Sequence, residues 1–131
     1  MRPRRILVIE DEADIRRLVG LALGRVGGYE VLAASSGAAG VEQARSELPD
    51  AILLDVMMPG LDGPATLRLL QDDPATAAIP VLFFTAKVMS ADRDRLLGLG
   101  ARGLIAKPFE PLRLAEQVSA ALAWDRGPGA S

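Results

Sequence analysis

Five short apolar runs alternate with segments of helical spacing, and this alternation constrains the fold more than any other feature of the sequence. The runs are Ile6–Ile9, Tyr29–Ala33, Ala51–Leu54, Val81–Phe84 and Leu104–Ala106. Short, wholly apolar runs are typical of strands buried on both faces, and their alternation with helices predicts parallel βα units. Five such units fit an open, doubly wound sheet better than a closed eight-stranded barrel, which needs about 250 residues. We therefore predict an α/β fold with a five-stranded parallel sheet.

The intervening segments predict five helices and a single domain. The first segment has an apolar stripe formed by Ile15, Leu18, Val19, Ala22 and Val26. The fifth is predicted to start at Pro111 and to place Leu112, Ala115, Val118 and Leu122 on one face. Ser90 is a predicted cap of the fourth helix. The domain should span residues 1–124, and residues 125–131 should form a flexible C-terminal tail.

The composition limits the available chemistry. The chain of 131 residues contains no cysteine and no histidine, so disulfides, thiolate metal sites and the commonest general base are excluded. Any bound metal should be a hard, oxygen-preferring cation such as Mg²⁺. A net charge of −2 gives no electrostatic case for nucleic-acid binding, and no run is long enough for a membrane span or signal peptide. A cytoplasmic protein is the expectation.

Polar side chains follow the apolar runs at the points where the predicted strands end. Glu10, Asp11 and Glu12 follow the first run, Asp55 the third, Thr85 the fourth and Lys107 the fifth. Each has an ordinary alternative role, because Asp favours turns, acids favour helix N-termini, Thr favours strands and Lys favours the surface. The carboxyl ends of parallel strands share one edge of a sheet, where ligands bind in open α/β folds. The sequence thus predicts one cleft at which three carboxylates, a hydroxyl and an ammonium group meet.

Electrostatics favours a cation in that cleft. Two unit charges about 4 Å apart interact by about 4 kcal/mol when the effective dielectric constant is about 20. Crowded carboxylates should therefore either hold a proton or bind a cation. Mg²⁺ typically takes one or two carboxylates, keeps several waters and accepts phosphate oxygens. Glu10, Asp11 and Asp55 are predicted to form such a metal site.

Four motifs in this order resemble those of the receiver domain of two-component response regulators, a family that includes chemotaxis regulators. They are ILVIEDE, LLDVMMPGLDG, FFTA and KPF, and the resemblance covers about residues 5–124. It implies a flavodoxin-like fold with strand order 2-1-3-4-5. It also implies a phosphorelay signalling domain that receives a phosphoryl group from a sensor histidine kinase or phosphotransfer protein and acts on a downstream target protein. Such a domain would catalyse only its own phosphorylation and dephosphorylation.

The resemblance also implies roles for individual residues. Asp55 would be the phosphoacceptor, and Glu10, Asp11, Asp55 and the backbone carbonyl of Met57 would serve Mg²⁺. Thr85 would be the switch hydroxyl. Lys107 would pair with a phosphoryl oxygen, and the Lys107–Pro108 peptide bond would be cis.

Three features of the sequence bear on regulation. The family usually has Tyr or Phe three residues before the lysine, where this chain has Leu104, so we expect the ring-coupled part of the switch to be weakened. Arg102 and Gly103 stand where receivers that dimerise for DNA binding commonly carry acids, so that symmetric dimer is not supported. Met57 and Lys87 are expected to tune the lifetime of the phosphoryl group.

Two other functions use a similar arrangement of strands and helices. A Mg²⁺-dependent phosphatase of similar topology would also use an Asp nucleophile at a strand end, but such enzymes usually have a second Asp where Met57 stands. A flavodoxin-like cofactor binder is poorly supported, because the loop after the first run is acidic. No output segment follows Trp124, so we expect either a complete single-domain regulator, which Met1 and the short tail favour, or an excised receiver.

Overall fold

The computed structural model of the chain describes residues 3–86 and 90–124, which form a five-stranded parallel sheet with helices on both faces. The strands are β1 (Arg5–Ile9), β2 (Glu30–Ala34), β3 (Ala51–Asp55), β4 (Val81–Thr85) and β5 (Gly103–Ala106). The helices are α1 (Ala13–Leu21), α2 (Gly37–Glu47), α3 (Gly63–Asp72), α4 (Ser90–Gly98) and α5 (Leu114–Ala121). The strand order is 2-1-3-4-5. The predicted fold class and strand order are both confirmed.

The strand register aligns the carboxyl ends of the three inner strands. Ile9 pairs with Leu54 between β1 and β3, and Asp55 pairs with Phe84 between β3 and β4. The apolar residues of β3 and β4 are buried, as their sequences predicted, and Asp55 and Thr85 at the strand ends are buried as well, although the end of a strand was expected to expose Asp55 to solvent. Strand β2 lies at the edge of the sheet and is partly exposed, so the prediction of burial on both faces does not hold there. The inner strands therefore hold the residues at their carboxyl ends in fixed positions.

The sheet separates two apolar cores. One is formed with α2, α3 and α4 and includes Ile9, Leu54 and Phe83; the other is formed with α1 and α5 and includes Val8 and Phe84. Successive strand residues point to opposite faces, so neighbouring apolar residues of one strand serve different cores. This explains why the runs are continuously apolar rather than alternating.

The first helix continues into a π-helical turn over Ala22–Val26, which changes its buried face. The N–H of Gly27 donates to the carbonyl of Ala22, five residues earlier, at 3.2 Å. The wider turn buries Ala22 and Leu23 and leaves Val26 48% exposed. Leu18 is 44% exposed as well. The predicted stripe was therefore wrong at Leu18 and Val26, and it missed Leu23.

The fifth helix begins at Leu114, three residues later than predicted. Pro111 lies in a turn that precedes the helix, in which the N–H of Arg113 donates to the carbonyl of Glu110 at 2.9 Å. Leu112 belongs to this turn and is 72% exposed. Its predicted place on the buried face of the helix was therefore wrong, whereas Ala115 and Val118 are buried as predicted.

Some predictions fall outside the described residues. These are the flexible tail at 125–131, the role of Lys87 and the capping side chain of Ser90. Among the described residues, no helix combines the length and the apolar character that crossing a membrane requires.

Candidate functional site

Three carboxylates meet at the carboxyl edge of the sheet. Glu10 and Asp11 follow β1, and Asp55 is the last residue of β3. One oxygen from each of the three lies within 4.8 Å of the others. Glu10 and Asp55 are buried, and Asp11 is partly exposed at the mouth of the cleft. The predicted cluster of acids is present, although Asp55 lies far from Glu10 and Asp11 in the sequence.

Lys107 closes the cluster from the end of β5. Its Nζ donates to Oε1 of Glu10 at 2.9 Å and to Oδ1 of Asp55 at 3.1 Å. Its backbone N–H donates to the carbonyl of Thr85 at 2.9 Å, which ties the loop after β5 to the end of β4. Thr85 is itself buried, and the Lys107–Pro108 peptide bond is cis, as predicted. The structure thus brings the four predicted strand ends to one cleft.

The loop after β3 is held close to Asp55. The N–H of Met57 lies 3.4 Å from Oδ1 of Asp55, and the Met57 side chain is 69% exposed. The N–H of Gly63 donates to the carbonyl of Val56 at 2.9 Å. A side chain at Gly63 would place its Cβ only 2.6 Å from the carbonyl oxygen of Asp55, so glycine permits this close approach. The use of the Met57 carbonyl as a metal ligand stays a prediction.

The environment perturbs the ionisation of both Asp55 and Lys107. Burial raises the pKa of Asp55, hydrogen bonding to Lys107 lowers it, and the nearby charge of Glu10 raises it, giving a value of about 6. Burial lowers the pKa of Lys107, but its hydrogen bonds to Glu10 and Asp55 outweigh this effect and leave the pKa raised. The lysine therefore stays charged, whereas the charged form of Asp55 is disfavoured by burial and by the neighbouring carboxylate.

Arg16 supports the acidic loop and was not predicted to be part of the site. Its Nη1 donates to the carbonyl of Glu10 at 2.8 Å and lies 3.3 Å from the carbonyl of Asp11. The sequence pattern of α1 predicted only an apolar stripe. Arg16 lies in the first turns of the helix that follows the acidic loop, and this proximity was the signal that could have revealed it.

The donor set fits a hard divalent cation. The clustered ligand atoms are all carboxylate oxygens, the ligands that Mg²⁺ prefers. Asp11 is partly exposed, so the cluster is accessible to water on that side. The site is therefore compatible with Mg²⁺, and the chain contains none of the cysteine or histidine ligands that softer metals favour.

The fold and the acidic edge together define a doubly wound α/β domain with a cluster of carboxylates, compatible with a hard cation, at the carboxyl ends of its strands. The chain belongs to the response regulator receiver domain family, whose family model matches residues 6–119. It is therefore a signalling domain of two-component systems, and the family supports a role in phosphorelay.

Curated relatives agree with this assignment. Response regulator PleD of Caulobacter vibrioides is 43% identical over 115 residues, which cover 87% of this chain and 25% of PleD. The phosphate regulon transcriptional regulatory protein PhoB of Escherichia coli is 40% identical over 119 residues, covering 91% of this chain and 52% of PhoB. The chain thus spans between a quarter and about half of the length of these relatives.

Solved structures share the fold. The chemotaxis protein CheY4 of Vibrio cholerae has a TM-score of 0.83 at 26% identity, covering 91% of this chain and 98% of CheY4. The receiver domain of the sensor histidine kinase PA1611 of Pseudomonas aeruginosa has a TM-score of 0.81 at 27% identity. That match covers 92% of this chain and 98% of the PA1611 domain, which is described with a magnesium ion coordinated in its active-site cleft.

Proposed function

We propose that Asp55 is the phosphoacceptor of this domain and that it receives its phosphoryl group from a sensor histidine kinase or a phosphotransfer protein. The observation that carries the proposal is the position of Asp55. It ends the central strand β3, shares a 4.8 Å cluster with Glu10 and Asp11, and is paired with Lys107. An aspartate so placed is a nucleophile that can be approached from the cleft.

The transfer requires little covalent chemistry from the protein. A carboxylate oxygen of Asp55 attacks phosphorus, an O–P bond forms, and the bond to the leaving group breaks with its electron pair going to that group. The rigid strand end supplies orientation, and Lys107 supplies positive charge for a peripheral phosphoryl oxygen. The product is an acyl phosphate, which water hydrolyses to restore the carboxylate of Asp55 and release inorganic phosphate.

We assign the metal site to Mg²⁺. Glu10, Asp11, Asp55 and the backbone carbonyl of Met57 would hold it. When bound, Mg²⁺ neutralises charge on the phosphoryl oxygens. The clustered carboxylates repel one another without a cation, so the metal stabilises the site as well as the reaction.

Phosphorylation should act through protein contacts. The added group brings about −1.5 to −2 charges and three acceptor oxygens to the cleft. Thr85 is buried at the adjacent strand end, where its hydroxyl can engage a phosphoryl oxygen and couple the cleft to the face made by α4, β5 and α5. We infer a downstream target protein and a cytoplasmic location. The domain itself would catalyse only its own phosphorylation and dephosphorylation.

Intact mass spectrometry with acetyl phosphate and Mg²⁺ tests the proposal. The wild type should gain one phosphoryl group, and Asp55→Asn should gain none. Asp62→Asn is a matched control in the same loop, because Asp62 is exposed and its side chain accepts a hydrogen bond from Ala65, which asparagine can also do. An unchanged adduct in Asp55→Asn would overturn the assignment, and sustained turnover of a phosphate ester would favour a phosphatase instead.

A further inference from the structure

Lys107 contacts an aromatic ring in addition to the carboxylates of Glu10 and Asp55. Its Nζ lies 4.8 Å from the centroid of the Phe84 ring, within the distance at which an ammonium group is attracted to the face of an aromatic ring. Phe84 precedes Thr85 at the end of β4 and belongs to the core between the sheet, α1 and α5. The ring therefore lies next to the acidic cluster without being one of its polar members.

The Phe84 ring is held in place by its surroundings. It is fully buried, and its strand pairs with β5, where Phe84 lies opposite Ile105. The ring of Phe109 packs against it with centroids 5.3 Å apart and planes inclined at 56°. Interiors packed in this way have few alternative positions for a large side chain. Phe84 consequently presents a fixed surface to Lys107.

The contacts of Lys107 differ in how they respond to ligands. A bound cation competes for the carboxylate oxygens of Glu10 and Asp55, which are also the two anionic partners of Nζ, and a phosphoryl group on Asp55 takes up one of those oxygens. A hard cation seeks oxygen ligands and does not compete for an apolar ring. Of these contacts, the one with Phe84 is therefore the one that we expect to persist when ligands bind to the carboxylates of Glu10 and Asp55.

We propose that Phe84 is a positioning residue for Lys107. Its ring keeps the ammonium group of Lys107 over the cleft while a metal ion and a phosphoryl group are bound to the carboxylates. The proposal rests on the function assigned above to Lys107. It concerns a ring that in other respects is an ordinary core residue, so its test must separate positioning from packing. Phe83 offers the comparison, because it is equally buried but belongs to the core on the opposite face of the sheet.

Nuclear magnetic resonance observes the contact directly. Protons next to the face of an aromatic ring are shifted upfield, so the ε-methylene protons of Lys107 should be shifted upfield in the wild type and not in Phe84→Leu. Phe83→Leu should retain the shift. We expect it to persist when Mg²⁺ and beryllofluoride are added. Loss of the shift on that addition would overturn the proposal, and this result does not depend on whether Asp55 can be phosphorylated.

The phosphorylation rate tests the consequence. Phe84→Leu should slow modification by acetyl phosphate at saturating Mg²⁺ by about three- to tenfold, the effect of losing a modest cation–π contact, whereas Phe83→Leu should not. Replacing Phe84 by trifluorophenylalanine, whose ring is almost the same shape but has a less negative face, should also slow the reaction. Equal rates with phenylalanine and its fluorinated form would reduce Phe84 to a packing role. Absence of phosphorylation in the wild type would instead refute the function of Asp55.

Discussion

Nζ of Lys107 lies 3.1 Å from Oδ1 of Asp55, a residue 52 positions earlier in the chain. The same nitrogen is bonded to Glu10, so in the metal-free domain one ammonium group serves two buried carboxylates. One positive charge does not neutralise two negative ones, and the remaining repulsion between the carboxylates destabilises the folded state. We expect this imbalance to make the site responsive to pH, to metal and to phosphorylation.

Removing the charge of Asp55 should stabilise the metal-free domain near neutral pH. The pKa of Asp55 is raised from 3.8 to about 6 on folding, so the folded chain binds this proton more tightly than the unfolded chain. Stability therefore falls as the pH rises from 3.8 to about 6 and stays lower above it. Allowing for screening by water in the cleft, Asp55→Asn should gain about 1–2 kcal/mol of unfolding free energy at about pH 7.5.

Urea denaturation without divalent metal measures this difference. The advantage of Asp55→Asn over the wild type should shrink as the pH is lowered toward 4, because both chains are then neutral at this position. Asp62→Asn should show little change at either pH. An advantage of the same size at neutral and acidic pH would show that the electrostatic explanation is wrong.

Arg16→Met should weaken Mg²⁺ binding. The Arg16 guanidinium holds the carbonyl of Glu10 and lies near that of Asp11, so its loss frees the loop that carries both acids. Misplaced ligands lower affinity even when the ligands themselves remain, and supporting partners of metal ligands are typically worth about 10- to 100-fold. Because Arg16 acts through the backbone, we expect a smaller loss than this, of about three- to tenfold.

Titration calorimetry with Mg²⁺ provides the measurement, and Arg17→Met is the control. Arg17 is the exposed neighbour on the same helix and has the same charge. A purely electrostatic effect on the site should strengthen metal binding in both variants, because each loses a positive charge. The expected opposite result for Arg16 alone identifies its hydrogen bonds as the cause.

The sequence predicted the framework of the site better than its supporting contacts. Asp55 and Lys107 could be placed because a parallel sheet brings the carboxyl ends of its strands to one edge. The contact of Arg16 with the acidic loop depends on the path of a single side chain, for which hydrophobic periodicity carries no information. The π-helical turn was missed for a related reason: Val26 fits the regular helical period, and only the changed hydrogen bonding moves it to the surface.

Gly63→Ala should destabilise the domain and disturb the cleft. Its Cβ would lie 2.6 Å from the carbonyl oxygen of Asp55 and 2.7 Å from Cα of Val56, both backbone atoms that cannot turn away. Overpacking of this kind costs about 1–3 kcal/mol. Gly98→Ala is the matched control, because Gly98 ends α4 and, apart from its chain neighbours and the backbone of its own helix, no described residue comes within 4 Å of the position that its methyl group would occupy.

Thermal or urea unfolding and Mg²⁺ titration of both variants would test this expectation. Gly98→Ala should be neutral or slightly stabilising, since alanine restricts the unfolded chain and favours a helix. Gly63→Ala should lose both stability and Mg²⁺ affinity. If it kept the affinity of the wild type, the close approach of the loop to Asp55 would not matter for the metal site.

Activation should change the surroundings of Leu104 only slightly. Leu104 is partly buried, packs against the core that contains Phe83, and pairs with Phe83 in the sheet register. Its aliphatic side chain already lies against a packed core and has no ring to swing between two positions, so we expect the switch to be carried chiefly by Thr85 and the loop that follows β4.

Amide spectra recorded with and without Mg²⁺ and beryllofluoride should show large shifts near Asp55 and Thr85 and small ones near Leu104. Leu104→Tyr should enlarge the response, whereas Leu99→Tyr, at an exposed position just after α4, should not. A large change confined to the neighbourhood of Leu104 in the wild type would contradict this, because it would mean that an aliphatic side chain performs the coupling that we attribute to a ring.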